Sequence, residues 1–301
     1  MSILVVGSVG LDDVKTHAGA VENALGGSAI YFSTAARFFY DSIRLVAVVG
    51  DDFPQEHIDF LEARGIGLEG LEQIQGGKTF RWGGDYTGDL NAAETLFTDL
   101  NVYGDFDPKL PATYKDTPYV FLANINPELQ LNVLRQAVSA ELIVCDTMNL
   151  WINNSLDALM QTLSEVDILI LNDGEARLLT GEDNLIRAGK RILTYGPDRV
   201  VIKKGEHGAI TLTDSTFFAA PAYPLESVSD PTGAGDSFAG GFLGYLASVG
   251  ETSEAVIRKA IIYGTVVASF NVEDFSLNRQ RRLTRSEIDD RYHQLHEAAL
   301  F

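Results

Sequence analysis

The feature that most constrains this chain is a glycine-rich turn that runs directly into an apolar helix. The segment reads DPTGAGDSFAGG from Asp230 to Gly241 and continues into the apolar run Phe242–Ala247. Two glycines and an alanine leave the first backbone N–H groups of that helix uncovered, and the helix dipole adds positive potential there. Such a helix start binds phosphate and similar anions. The sequence therefore predicts an anion site at residues 233–235.

A carboxylate lies in the first turn of the same helix. Asp236 repels a bare phosphate, and a functional reason for its presence is that it takes a proton from a hydroxyl group that attacks the phosphate. The structural alternative is that the glycines serve packing and the aspartate complements the helix dipole. The interior of this helix contains three more glycines, Gly240, Gly241 and Gly244. Each costs about 1 kcal/mol relative to alanine, so we expect them to be needed for a close contact between this helix and a neighbour.

Composition limits the partners of this chain. Among 301 residues, 42 acids face 23 bases, which gives a net charge of −19 and argues against nucleic acid or an anionic membrane as partner. The single cysteine, Cys145, excludes an internal disulfide and fits the reducing cytoplasm. The apolar start at residues 1–6 is soon followed by Asp12 and Asp13, so we expect no signal peptide and no membrane span.

Short apolar runs alternate with helix-like stretches, which predicts a mostly parallel sheet with helices on both faces, in one domain over residues 1–301. The predicted strands are 3–6, 44–49, 119–122, 142–144, 168–171 and 200–202. The predicted helices are 54–64, 127–139, 151–164, 173–180, 233–248, 251–271 and 284–299. Two insertions, at about 10–35 and 66–105, are expected to build a small antiparallel β lid, with strands at 77–82 and 94–98.

The DPTGAGDSFAGGF segment resembles the C-terminal signature of the ribokinase-like (PfkB) carbohydrate and nucleoside kinases, and the resemblance covers essentially the whole chain. It implies a ribokinase-like α/β fold with a β lid. It also implies transfer of the γ-phosphate of ATP to a hydroxyl group, typically a primary one, of a sugar or nucleoside. In this reading Asp236 is the general base, and the amides of Gly233, Ala234 and Gly235 stabilise charge on the transferring phosphoryl group.

Two further segments match the nucleotide side of that family. Asn172 and Glu175 match a motif that holds a water-bound Mg²⁺ near the nucleotide phosphates, although Asn at an N-cap with Glu at N3 is also an ordinary helix start. Lys203 and Gly205 follow the strand at 199–202, in a turn that the resemblance places under the nucleotide. Lys203 could meet phosphate oxygens there, and the alternative is a solvated surface turn.

The acceptor side matches the family less completely. Asp12 matches an aspartate that binds substrate hydroxyls, the pair Gly26 and Gly27 matches glycines that contact them, and Asn126 falls where other members present polar groups to the acceptor. The family usually has asparagine where this chain has Tyr31, so an expected amide contact to a sugar is missing.

The resemblance also implies a site for a monovalent cation. Asp230 and Thr232 match positions associated with a monovalent cation such as K⁺, although Asp before Pro also forms simple turns.

Aromatic side chains of the predicted lid can stack on a nucleobase, form the lid core or make a homodimer contact; they are Tyr31, Phe80, Trp82 and Phe97. The acceptor therefore stays open between a sugar and a nucleoside, the latter as in adenosine or cytidine kinases.

Two other functional classes fit the sequence less well. A non-catalytic ligand sensor of the same fold has no need of the base Asp236 or of the motif at Asn172 and Glu175. A nicotinamide dehydrogenase needs a GxGxxG fingerprint, and the segment from Gly7 to Gly10 lacks that spacing. The sequence thus favours a cytoplasmic kinase that uses ATP and Mg²⁺.

Overall fold

The computed structural model describes residues 2–300, and within them a sheet of nine strands carries the fold. Its strands, in chain order, are β1 (Ile3–Val6), β4 (Ile43–Gly50), β5 (Ile66–Ile74), β8 (Tyr119–Leu122), β9 (Leu142–Asp146), β10 (Ile168–Asn172), β11 (Arg199–Lys203), β12 (Ala209–Leu212) and β13 (Phe217–Ala220). The spatial order is β13-β12-β11-β10-β9-β8-β1-β4-β5. All neighbours pair in parallel except β11 with β12 and β12 with β13.

Helices cover both faces of this sheet. They are α1 (Ser28–Ala36), α2 (Gln55–Ala63), α3 (Pro127–Gln136), α4 (Asn149–Asn154), α5 (Leu156–Leu163), α6 (Asp173–Thr180), α7 (Leu185–Leu193), α8 (Ala234–Val249), α9 (Glu254–Asn271), α10 (Asn278–Arg282) and α11 (Arg285–Ala299). Side chains of β1 alternate between two cores: Ile3 and Val5 face one, Leu4 and Val6 the other. This alternation is why the strands are apolar throughout.

A second sheet of four strands forms the lid. It contains β2 (Gly10–Thr16), β3 (Gly19–Gly26), β6 (Phe80–Asp85) and β7 (Glu94–Asp99), in the order β3-β2-β6-β7. The pairs β2–β3 and β6–β7 are antiparallel, whereas β2 and β6 run parallel. The expected α/β architecture with a small β lid is therefore confirmed, with one parallel pairing inside the lid.

The predicted bounds of the lid insertions are too wide. Residues 28–36 form α1, whose nine residues are all buried, and β5 at 66–74 is an edge strand of the large sheet. A helix that is buried on every side shows no polar face, so its sequence gave no helical period. The predicted helix 151–164 is two helices, α4 and α5, separated at Ser155.

The glycines inside α8 allow close helix contacts, as the sequence predicted. A Cβ at Gly244 would lie 2.9 Å from Cα of Ala36 in α1, and a Cβ at Gly241 would lie 3.1 Å from Cα of Gly264 in α9. A side chain at either position would push the helices apart. In the part of the chain that the structure describes, no helix is both long and apolar enough to cross a membrane.

Candidate active site

The predicted phosphate loop lies at the start of α8, where the backbone requires glycine. Gly233 is the N-cap of α8 and has φ +73°, in the left-handed region that favours glycine. A Cβ there would also collide with the ring of Tyr31. The N–H of Ala234 donates to the carbonyl of Pro231 at 3.2 Å, so that amide is already engaged. A phosphate that binds at this helix start would therefore use the amides of Gly233 and Gly235.

Buried polar contacts hold this loop from behind. The carboxylate of Asp230, which is 1% exposed, accepts the N–H of Thr232 at 2.8 Å and the N–H of Ser276 at 2.9 Å. The side chain of Asn271 donates to the carbonyl of Thr232 at 2.8 Å. It accepts hydrogen bonds from Ser237 at 3.2 Å and from Gln280 at 2.8 Å. The loop is thus fixed before any ligand binds.

On one side of the loop, acidic groups surround a single ammonium group. Lys203, at the end of β11, donates to Asp146, at the end of β9, at 3.3 Å. Burial raises the pKa of Asp236 to about 7, and the charge of Asp146 adds to this shift, whereas Lys203 opposes it. A carboxylate with such a pKa is half ionised near neutral pH and is suited to accept a proton.

Asn172 and Glu175 form the start of α6 on this side. The N–H of Glu175 donates to the side chain of Asn172 at 2.8 Å, and the N–H of Asn172 donates to the Glu175 carboxylate at 2.7 Å. This capping box is the structural alternative that the sequence left open. Burial raises the pKa of Glu175 to about 7 against the opposing charge of Lys203, and Asp146 adds to the rise. Both residues therefore serve as a cap, and their metal role remains a prediction.

The donor set on this side fits a hydrated Mg²⁺. Among residues 2–300, no three His, Cys, Asp or Glu side chains converge closely enough to hold a metal ion by themselves. The carboxylates of Asp146, Glu175 and Asp236 nevertheless all act on Lys203. Mg²⁺ prefers oxygen ligands and keeps several waters. Binding of Mg²⁺ through its water ligands therefore suits this arrangement better than direct coordination by protein side chains alone.

On the other side of the loop lies Asp12 of β2, which is 5% exposed. Burial raises its pKa to about 8, and the charges of Asp230, Asp236 and Asp13 add to the rise. A Cβ at Gly26 would collide with the Asp12 carboxylate, so glycine is required there. Gly27, with φ +101°, is the N-cap of α1. The structure therefore brings Asp12, Gly26 and Gly27 together beside Asp230 and Asp236.

Tyr31 lies under the loop rather than open to a ligand. Its side chain is 1% exposed and its ring packs on Gly233. The interpretation of Tyr31 as a stacking surface for a nucleobase is therefore wrong, because its ring is covered by the chain itself. Its hydroxyl group is buried and makes no hydrogen bond within residues 2–300. Tyr31 is therefore a packing residue beneath the loop.

Two other predicted site residues have local structural roles. Asn126 caps α3 by accepting the N–H of Glu128 at 2.9 Å, and within residues 2–300 no hydrogen bond joins it to the carboxylates of the site. Gly205 has φ +52° and begins the turn after β11. A Cβ there would lie 2.5 Å from the side-chain oxygen of Asn91, in the loop between β6 and β7. That loop therefore reaches the predicted nucleotide side.

Comparison with known proteins decides the family. Residues 2–281 match the model of the "pfkB family carbohydrate kinase". The chain belongs to this family. It is 30% identical over 266 residues to the cytidine kinase of Thermococcus kodakarensis, covering 86% of this chain and 92% of that protein. The predicted membership of the ribokinase-like (PfkB) family and the assignment to sugar and nucleoside kinases are confirmed at this level.

Solved structures of pfkB-type kinases share the fold. The nucleoside kinase of Methanocaldococcus jannaschii superposes with a TM-score of 0.76 at 21% identity, over 98% of this chain and 99% of that one. A putative ribokinase II from E. coli, in complex with ATP and Mg²⁺, gives a TM-score of 0.80 at 20% identity, over 97% and 99% of the two chains. At these identities the likeness establishes the fold.

The sequence analysis did not single out two residues that the structure places at this candidate site. Asp146 is the last residue of the buried apolar strand β9, and an acid at the carboxyl end of a parallel strand is a signal that could have identified it. Tyr86 lies in the lid loop, and its ring is 6.4 Å from that of Trp82. Burial raises the pKa of Tyr86 to about 12, and the charges of Asp230, Asp12 and Asp236 add to the rise. Its position in a polar loop gave no periodic signal.

Proposed function

We propose that this pfkB-family chain transfers the γ-phosphate of ATP to the primary hydroxyl group of a nucleoside. The supporting observation is the position of Asp236 between two groups of residues. Its charge acts on Asp12 on one side and on Lys203 and Glu175 on the other. A base that takes a proton from an acceptor hydroxyl while the phosphate lies at the helix start needs this intermediate position.

In this proposal each residue has a defined task. Asp236 accepts the proton of the acceptor hydroxyl as the oxygen attacks phosphorus. The amides of Gly233 and Gly235 donate to the phosphoryl oxygens, and Lys203 places a positive charge beside them. Asp12 holds other hydroxyl groups of the acceptor. Closure of the lid over both ligands excludes water and limits hydrolysis of ATP.

Two cations are part of the proposal. Glu175 and Asn172 would hold Mg²⁺ through water, and the ion would neutralise charge on the phosphates. For K⁺, the support is that the carboxylate oxygens of Asp230, which lies close to Thr232 in the loop, belong to a residue that is only 1% exposed. Such oxygens are suitable ligands for a monovalent cation.

The nucleoside is favoured over a free sugar by the lid. Trp82 of β6 is in register with Asp12 of β2, and Tyr86 packs edge-on to Trp82. An aromatic pair next to the residue that holds the hydroxyls offers a surface for a base. The names of the Thermococcus and Methanocaldococcus relatives agree with this choice. A sugar kinase is the second candidate, because the family as a whole acts on carbohydrates.

The lid also offers a contact between two copies of this chain. Leu96 of β7 and Leu100 just after it are 56% and 50% exposed, and β7 is an edge strand. Exposed apolar side chains on a free strand edge favour pairing with another chain. A homodimer through the lid and a location in the cytoplasm, where ATP is plentiful, complete the proposal.

The proposal is tested by ADP release from ATP with a panel of nucleosides, pentoses and hexoses, in the presence of Mg²⁺ and K⁺. We expect a nucleoside to be the best acceptor and turnover to require Mg²⁺. A free sugar as best acceptor would replace the nucleoside kinase by the sugar kinase. ADP binding without turnover on any acceptor would favour a ligand sensor and contradict the assignment of Asp236.

A further inference from the structure

Lys203 and Asp146 form a nearly buried ion pair beside the phosphate loop. Their side chains are 17% and 6% exposed, and the ammonium and carboxylate are 3.3 Å apart. The two residues end β11 and β9, and β10 lies between those strands. The pair therefore bridges the strand that ends in Asn172.

The same ammonium group also borders the amide cradle. A Cβ at Gly235 would lie 2.8 Å from Nζ of Lys203. A phosphate oxygen that binds the amides at the start of α8 therefore meets this ammonium. Because Asp146 already holds the ammonium, an incoming phosphate competes with that carboxylate for it.

The charges around Lys203 do not favour a phosphate by itself. The carboxylates of Asp146, Glu175 and Asp236 all act on this one ammonium. With pKa values of about 7, Glu175 and Asp236 are each about half ionised near neutral pH, so together with Asp146 they still carry more negative charge than one ammonium balances. In this poorly solvated place charges interact more strongly than in water. A polyanion that enters this site without a compensating cation is repelled.

We propose that Asp146 is a positioning residue that holds Lys203 in the free protein and makes the site reject nucleotide that carries no divalent cation. The inference rests on the proposed function. Metal-free nucleotide must pull Lys203 away from Asp146 and then face the freed carboxylate. Nucleotide bound to Mg²⁺ brings positive charge with it, so the freed carboxylate becomes an attractive group instead of a repulsive one.

Calorimetry with AMP-PNP, an ATP analogue whose γ-phosphoryl group is not transferred, tests this role without any turnover. Wild-type protein should bind Mg²⁺·AMP-PNP more tightly than AMP-PNP in EDTA. Asp146→Asn, which keeps the shape of the side chain, should tighten binding of metal-free AMP-PNP at least about tenfold and should not tighten that of Mg²⁺·AMP-PNP. Asp198→Asn is the matched control, because Asp198 is an exposed acid at the opposite end of β11. It should leave both affinities unchanged.

A second variant keeps the test decisive if Asp146→Asn does not fold. Lys203→Met should weaken binding of metal-free AMP-PNP by a larger factor than binding of Mg²⁺·AMP-PNP, since only the metal-free form depends on that ammonium alone. Unchanged or weaker metal-free binding by Asp146→Asn, or equal losses for both forms in Lys203→Met, would overturn the inference. If the wild type binds neither form of AMP-PNP, the proposed function itself fails.

Discussion

Replacing Asn271 by leucine removes the polar group that holds the phosphate loop from behind. Asn271 is fully buried at the end of α9. It donates to the carbonyl of Thr232 at 2.8 Å and accepts from Ser237 at 3.2 Å and Gln280 at 2.8 Å. Leucine has the same branched shape and the same number of side-chain heavy atoms, with somewhat bulkier methyl groups, so the change deletes hydrogen bonds and opens no cavity.

The loss of stability follows from the groups that are left unpaired. The Thr232 carbonyl loses the Asn271 donor, and an unsatisfied buried group costs about 1–3 kcal/mol. Gln280 still donates to Ser237 at 2.7 Å, so these two side chains keep a hydrogen bond to each other when Asn271 is replaced. We expect unfolding free energy to fall by about 3 kcal/mol, which a domain of ordinary stability, about 5–15 kcal/mol, survives.

Function should suffer beyond stability, because the loop that starts α8 loses a fixed position. We expect kcat to fall at least about tenfold in protein that is still folded. Urea unfolding measures the first effect and ADP release the second, with Asn278→Ala as control, because Asn278 is exposed. Normal turnover in folded, destabilised Asn271→Leu would show that the buried network does not organise the loop.

Three further predictions concern the site itself. Burial holds the pKa of Asp12 at about 8, so its ionised form opposes folding and stability is lost as pH rises from about 4 to 8. Asp12→Asn should therefore raise Tm at pH 9 and not at pH 4. Equal shifts of Tm at both pH values would refute this. Glu175→Gln keeps an acceptor for the N–H of Asn172 but loses a charge, so half-maximal activity should need more Mg²⁺. If the variant has the same Mg²⁺ dependence as the wild type, Glu175 serves only as a helix cap. Trp82→Ala should lower kcat/KM for a nucleoside about ten- to a hundredfold and for a sugar much less, whereas equal losses would assign Trp82 to the lid core.

The sequence predicts the frame of this fold well because its strands are distinct. β1 and β8 have the predicted bounds, and α6 begins and ends as predicted. Each is a short apolar run, or a helix with a strong capping signal, bounded by turn residues. The β12–β13 hairpin and α7 were not predicted, because the pattern of strands followed by helices did not require them.

The site is predictable only where a residue's role depends on neighbours in the chain. Gly233, Gly235 and Asp236 lie on one helix start, so their proximity follows from the sequence. Tyr31 looked available to a ligand, but its burial depends on the contact of α1 with α8, which are distant in the chain. Asp146 could have been identified from its place at the end of an apolar strand, whereas Tyr86 approaches Asp12 and Asp236 through tertiary packing alone, without a local pattern that indicates it.

The central claim is that Asp236 is the base of a phosphoryl transfer. The most direct measurement compares turnover and ADP affinity in wild type and Asp236→Asn, with the fold checked by circular dichroism. The account predicts at least about a hundredfold loss of turnover, with Mg²⁺·ADP still bound. Near-normal turnover in the folded variant would contradict the assignment of Asp236 and the mechanism built on it.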